Sequence, residues 1–512
     1  MSKRINILIL IIFSLIIFST VIIQSHHQHW SGQWDLDFWY IYNSSLMASG
    51  FNQEWYDHPA TSFLSLYSLS YKIYSFFDSS FIYKIGDIVD SNEPDLVLQK
   101  LFFVTRIVDS INIILIVFYS FKVFKILSLK NIYKYFLIIT LLVSSTFFQN
   151  ISIMNPEDWS VLFFMISFYY FLKFFIRGKV NFLVVSGIFF SLSFFSKISI
   201  LFLFIFIIPL IPIFYEMYSS RVDSKIHKIL LDKFFYIFIG YLLSLILYFT
   251  VQIFIFSKLA PFEKNAGLDV LMIFFINFTY LLFFLIISKF KFERFKIYFS
   301  IFILFTLSFL LGPIIFFILD FFNIAEFNPW ILFHLTNPFN EMIRFATIES
   351  NPSTGLSNSV FSLLANFFSG FLFDKFLYLG LGIIFTISII KDYKYKNINN
   401  ILLKFIILFS FIFNVLMFNL RYFLEYSLIT YIIYIILLTF CFKNLSRIFL
   451  SFFCMIFLYY VAIYSPYKNF SDLKNLLLTR ESSLDYLCNN PNSEFRNYSK
   501  SFKETTYQKL CY

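Results

Sequence analysis

WSGQWDLDFWYIYNSSLMASGFNQEWYDHPAT, residues 30–61, is a polar and aromatic interruption in a chain that is otherwise largely apolar. It gathers Asp35, Asp37, Glu54, Asp57 and His58 among tryptophans and tyrosines, shortly after the apolar run Ile5–Gln24. Downstream, apolar runs recur at the length, about 18–25 residues, that a helix needs to cross a bilayer. Lipid offers backbone groups no hydrogen bonds, so such runs must close their own bonds as helices. The 512 residues are 59% hydrophobic and 14% charged, with a mean hydropathy of +0.76. That balance excludes a soluble globular domain and predicts an all-α polytopic membrane protein.

Lys3 and Arg4 precede the first run, and no small-residue cleavage site follows it. An uncleaved first span with a cytoplasmic N-terminus is therefore expected. Further spans are expected near 101–126, 135–153, 159–176, 181–195, 198–215, 234–256, 268–288, 297–321, 371–390, 401–419, 427–442 and 447–464. With the first run they make about 13 in all. In the first polar interruption, Asp37–Ala48 and Ser62–Phe77 have amphipathic spacing and suit helices lying at the membrane surface. Residues 1–464 form the membrane domain, and 465–512 form a short polar tail.

The net charge of +10 does not point to nucleic acid, because the basic residues sit in connections between spans. Lys122–Lys134, Arg177–Lys179, Arg221–Lys233, Lys289–Lys296, Lys391–Lys404 and Lys443–Arg447 fall on one side in the predicted topology. The short connections on the other side hold only Lys197, Lys258, Lys264 and Arg421. This is the positive-inside asymmetry. It places residues 30–61, the NPED turn at 155–158, the 322–370 loop and the tail together on the outer face.

Candidate chemistry concentrates on that face. Asp35 and Asp37 are either solvated loop acids or carboxylates held at headgroup level by Trp30, Trp34, Trp39, Tyr40 and Tyr42. In the second case they could take a proton from an incoming hydroxyl or amine, or hold a divalent metal. Glu157 and Asp158 are either a polar cap, with Asn155 or Asp158 starting the next helix, or a second acidic wall. Lys197 and Arg421 end spans; they either snorkel or bind a lipid phosphate, the arginine through two oxygens. His26, His27, His29 and His58 lack a fixed ligand spacing. The four cysteines show no metal pattern, and only Cys488 and Cys511, both in the tail, are placed to pair.

The run from Asp35 to Leu66 resembles the first outer loop of the GT-C glycosyltransferases of the protein-mannosyltransferase and aminoarabinose-transferase type. That family has an acidic pair, aromatics, then Leu, Gly and Tyr-Asp-His-Pro-Pro-Leu. Asp35, Leu46, Gly50, Tyr56, Asp57, His58 and Pro59 fall in step, with Asp37 displaced by one and Ala60 and Thr61 replacing the last two family residues. NPEDWSVLFF, from Asn155, is similar to the family's Thr-Pro-Asp segment, with Glu157 in the acidic place. SFFSKIS matches the Ser-Lys-Tyr segment at Lys197, and LRYFLEYS matches the late Arg-Tyr-Leu-Leu-Pro segment at Arg421 and Tyr422.

The resemblance implies a GT-C-like bundle and inverting transfer of a sugar from a polyprenyl-phosphate donor. The acceptor would be a lipid, a glycan or a protein. Either Asp35 or Asp37 would be the general base, Asp35 being favoured, with Glu157 orienting or polarising the site. Asp158 and Tyr422 would help bind substrate, Lys197 and Arg421 would neutralise the leaving lipid phosphate, and Asp57 and His58 would shape the loop. The resemblance fixes no cofactor, and a divalent metal at the acids remains an open alternative. A lipid-linked glycan polymerase or ligase, and a transporter or flippase of a lipid-linked sugar, are the alternatives; the transporter predicts charges inside spans.

Overall fold

The computed structural model describes residues 3–30, 38–54, 60–143, 154–218, 224–259, 266–327, 331, 375–419, 427–442 and 501–511. Among the described residues every regular element is helical. The first five are α1 (Lys3–His27), α2 (Trp39–Ala48), α3 (Thr61–Phe77), α4 (Ile85–Asp90) and α5 (Pro94–Ile126). Next come α6 (Asn131–Val143), α7 (Pro156–Arg177), α8 (Val180–Ser196), α9 (Leu201–Tyr218), α10 (Ser224–Asp232), α11 (Phe234–Leu259) and α12 (Ala266–Ile287). The remainder are α13 (Phe292–Leu310), α14 (Ile314–Phe321), α15 (Lys375–Lys394), α16 (Ile398–Asn419), α17 (Ser427–Phe442) and α18 (Glu504–Cys511).

Four segments are long and apolar enough to cross a bilayer: Leu8–His26, Pro94–Ile126, Pro156–Arg177 and Phe292–Phe321. Several shorter apolar helices accompany them. The chain is a helical membrane protein. The 297–321 run, expected as one helix, is interrupted at Leu311–Pro313. Pro313 has no N–H to continue the ladder, and its ring disfavours helix in the residue before it. The expected span at 447–464 and the second half of 135–153 lie outside the described residues.

The α7–α8 hairpin is the centre of the bundle. Gly178 ends α7 in the left-handed region, at φ 65°, and its N–H donates to the Phe174 carbonyl at 2.7 Å. Two serine pairs then fix the antiparallel register. Ser167 Oγ donates to the Ser186 carbonyl and Ser186 Oγ to the Ser167 carbonyl, each at 2.8 Å. Ser160 and Ser193 exchange equivalent bonds at 3.0 and 2.6 Å. Such small hydroxyl residues let helices approach while satisfying polar groups that lipid cannot.

Helix α5 runs parallel to α7. Trp159 reaches Asp109 at one level, and Tyr119 meets Tyr169, ring centroids 5.8 Å apart, farther along. Because α5 begins at Pro94, about 12 of its residues, roughly 18 Å at 1.5 Å per residue, project past the start of α7. Helices α1, α4 and α18 all pack on α5. The span expected from 101 therefore starts about two turns earlier, with Pro94 at its first turn.

The two helices expected at the membrane surface separate in character. Helix α3 is amphipathic as read, burying Phe63, Leu64, Tyr67 and Tyr71 while Phe76 and Phe77 are exposed. Helix α2 does not have the expected amphipathic face: all ten of its residues are buried within the protein. Helix α3 covers it, Ser68 Oγ donating to the Ser44 carbonyl at 2.8 Å. The C-terminal segment covers it as well. Ser501 N–H donates to Tyr42 Oη at 3.1 Å, Ser501 Oγ donates to Glu54 at 2.9 Å, and Phe502 packs on Phe38 and Tyr42.

Candidate functional site

The start of α7 is built by local rules. Asn155 is extended and caps the helix, its Oδ1 accepting the Glu157 N–H at 2.9 Å, and Pro156 occupies the first turn, where a missing N–H costs nothing. Glu157 and Asp158 therefore sit in the first turn, where the helix dipole favours carboxylates. Both are buried. The serine register of the hairpin brings the start of α7 opposite the end of α8, so Lys197 lies level with Glu157. Lys197 is buried too, at the C-cap of α8.

Glu157 has a structural partner far away in sequence. Its Oε1 accepts the backbone N–H of Ile429, in the first turn of α17, at 3.0 Å. It thus supplies an N-cap bond from another helix. Asp158 Oδ1 is buried with no hydrogen-bond partner.

One turn away stands a network that sequence reading did not gather. Arg106 Nη1 donates to Asp109 Oδ2 at 3.2 Å, both groups on α5 and both buried. The Tyr67 hydroxyl, from α3, donates to Asp109 Oδ1 in a short hydrogen bond. Trp159 Nε1 is shared between Tyr67 Oη and Asp109 Oδ1, at 3.4 Å each. Burial raises the Tyr67 phenol well above its usual range, with the Asp109 charge adding, so it remains a donor. The Tyr71 hydroxyl and both amide atoms of Asn112 are buried near this network without partners. The i,i+3 spacing of Arg106 and Asp109 within an apolar run was the available sequence signal. Asp109 lies at the middle of a 33-residue helix.

Among the described site residues, Glu157, Asp158 and Lys197 thus share one end of the α7–α8 hairpin. Ser62 Oγ donates to the Leu192 carbonyl at 2.9 Å and fixes the start of α3 to that same end. Asp35, Asp37, Asp57, His58, Arg421 and Tyr422 lie outside the described residues, as do Cys488 and the pairing considered for Cys511. The segments that bracket them are placed: Trp30 packs on Phe38 at 5.6 Å between ring centroids, and Ala60 begins the turn into α3.

The described histidines do not form a metal centre. His26 and His27 belong to α1, and His29 Nε2 pairs with Asp95 Oδ1 at 3.0 Å beside Trp30 Nε1, which donates to the same oxygen at 2.8 Å. Among the described residues no group of three or more His, Cys, Asp or Glu side chains is placed to hold a metal ion. Comparison of the chain with protein-family models, with curated proteins and with solved structures returns no match.

Proposed function

We propose that the protein is an integral-membrane glycosyltransferase that moves a sugar from a polyprenyl-phosphate donor to an acceptor at the membrane surface, with inversion. One observation carries this reading. Two buried acids and a buried lysine lie at one end of the α7–α8 hairpin, and the start of α3 is bonded to that end. A donor entering sideways from lipid needs such a site, a cation for its phosphate beside a carboxylate for the acceptor. No Gly-rich phosphate cradle for a soluble nucleotide sugar occurs in the sequence.

In this reading Asp35 is the general base and Asp37 its neighbour in the first loop. Asp158, with an uncommitted buried oxygen, holds or polarises the acceptor. Lys197 and Arg421 neutralise the leaving lipid phosphate as its charge develops. Glu157 is a positioning residue, because it caps α17, the helix that begins just after the Arg421 segment. The bundle has about 13 spans, with the N-terminus cytoplasmic and the site on the outer face. Acceptors of three classes fit: lipid, glycan and protein.

The test uses purified full-length protein, a set of labelled polyprenyl-phosphate sugars and membrane extract as acceptor source. Asp35→Asn and Asp158→Asn are each expected to slow transfer by on the order of 10²-fold or more. Transfer by both variants at the wild-type rate would sink the reading.

A second reading, a transporter or flippase of a lipid-linked sugar, is favoured by the buried Arg106–Asp109 pair inside a membrane helix. It predicts that sealed vesicles move labelled donor across the bilayer chemically unchanged, and that neutralising the pair stops this.

A further inference from the structure

A cavity of about 400 Å³ lies between α1, α3 and α5, away from the acids of α7. Ser25 and His26 line it from α1, and Gln99, Lys100 and Phe103 from α5; Tyr74 and Asp78 come from the end of α3. Along α3, Asp78 is about 24 Å beyond Ser62, which is bonded to α8, at 1.5 Å per residue. The cavity is therefore distinct from the site described above.

Its position is interfacial. His26 is the last residue of the apolar Leu8–His26 segment, so the cavity opens where α1 leaves the hydrocarbon layer. Immediately before Asp78, Phe76 and Phe77 are 87% and 86% exposed, which is unusual for aromatic side chains unless lipid covers them.

The charges lining it are opposite and not spent on each other. Lys100 forms no ion pair or hydrogen bond with any described residue. Asp78 accepts hydrogen bonds from the Ser80 N–H at 3.0 Å and from Ser80 Oγ at 2.6 Å, both at Oδ1. Those bonds hold its carboxyl below the usual carboxylate range, with the Lys100 charge assisting, so it is ionised at neutral pH. Gln99 is committed to the fold: it accepts the Trp30 N–H and donates to the Gln28 carbonyl, each at 3.0 Å. Tyr74 and Phe81 pack edge to face on each other at 4.7 Å, so they do not splay into a cage for a quaternary ammonium.

We propose that this cavity binds the headgroup of a zwitterionic aminophospholipid. The phosphodiester sits on Lys100, the primary ammonium on Asp78, and the acyl chains run over Phe76 and Phe77. Separated, unpaired charges of opposite sign match a ligand that carries both signs a few bonds apart, and the ammonium N–H groups suit a carboxylate acceptor.

Delipidated full-length protein in detergent is titrated with short-chain phosphatidylethanolamine, phosphatidylcholine and phosphatidylglycerol, binding being read by native mass spectrometry. Saturable binding with a preference of about tenfold for the ethanolamine lipid is expected. Lys100→Ala should weaken all three lipids, and Lys100→Arg should restore them. Asp78→Asn should abolish only the preference. Both positions are at the protein surface, and unchanged thermal unfolding of the variants separates loss of binding from loss of fold. Equal binding of the three lipids by the wild type would overturn the proposal, as would wild-type binding by both Lys100→Ala and Asp78→Asn. Inorganic phosphate competing as well as the lipid would overturn it too, since the site would then be a simple anion site.

Discussion

Glu157 Oε1 accepts the backbone N–H of Ile429 at 3.0 Å, joining the first turn of α7 to the first turn of α17 across 272 residues of sequence. An acid read as part of the chemistry thus also holds the helix that follows the Arg421 segment. Glu157→Gln keeps an oxygen acceptor there, whereas Glu157→Ala does not. Losing such a cap typically costs about 0.5–2 kcal/mol. Thermal unfolding in detergent should therefore rank wild type and Gln together and Ala lower. If Gln is as unstable as Ala, the bond depends on the negative charge and not on the acceptor.

The Arg106–Asp109 pair makes a sharper prediction. Both groups are buried, so removing one leaves an uncompensated charge, at about 3–5 kcal/mol. Arg106→Met or Asp109→Leu alone should lower expression and thermal stability strongly. The double variant should recover much of the loss, because the buried charge is gone. Additive losses in the double variant would mean that the two groups act through separate partners, Tyr67 and Trp159 for Asp109 among them.

Sequence and structure part company where contacts are non-local. The NPED turn was legible because Asn155, Pro156 and the acids obey local capping rules within four residues. The amphipathic character of α3 was legible from its 3.6-residue spacing. The burial of α2 was not, since its polar-looking stretch YIYNSS is covered by α3 and by residues 501 and 502 from the far end of the chain. The early start of α5 was missed because Pro94–Lys100 is too polar to read as membrane. It is helix continuous with the apolar run, and a polar first turn is not visible to hydropathy. The polar network around Asp109 takes its members from α3, α5 and α7, and only the contact of Arg106 with Asp109 is local.

The clasp between the C-terminal segment and the first loop is open to a simple test. Tyr42 Oη donates to Glu54 Oε2 at 2.6 Å and accepts from Ser501 N–H, while Ser501 Oγ takes the other Glu54 oxygen. Lys509 Nζ adds a bond to the Ser91 carbonyl at 2.6 Å. Truncation after Lys500 should speed protease cleavage between residues 31 and 59. Tyr42→Phe, which loses about 0.5–1.5 kcal/mol of hydrogen bonding, should do so weakly. Cleavage of the truncated protein at the wild-type rate would show that the segment rests on the loop without holding it.

Two glycines predict opposite outcomes for the same substitution. At Gly187, in α8, a Cβ would stand 2.5 Å from Ser308 Cβ and 2.7 Å from the Phe305 carbonyl oxygen, both on α13. Backbone cannot rotate away, so α8 and α13 would have to separate, and Gly187→Ala should destabilise by about 1–3 kcal/mol. At Gly240, in α11, a Cβ would have nothing within 4 Å beyond its own helix. There Gly240→Ala relieves only the entropy of glycine in a helix and should stabilise by up to about 1 kcal/mol. Unfolding midpoints in one detergent measure both. A Gly187→Ala protein as stable as Gly240→Ala would mean that α8 and α13 are not in close contact. The hairpin that carries Glu157, Asp158 and Lys197 would then lack the support on which the site geometry rests.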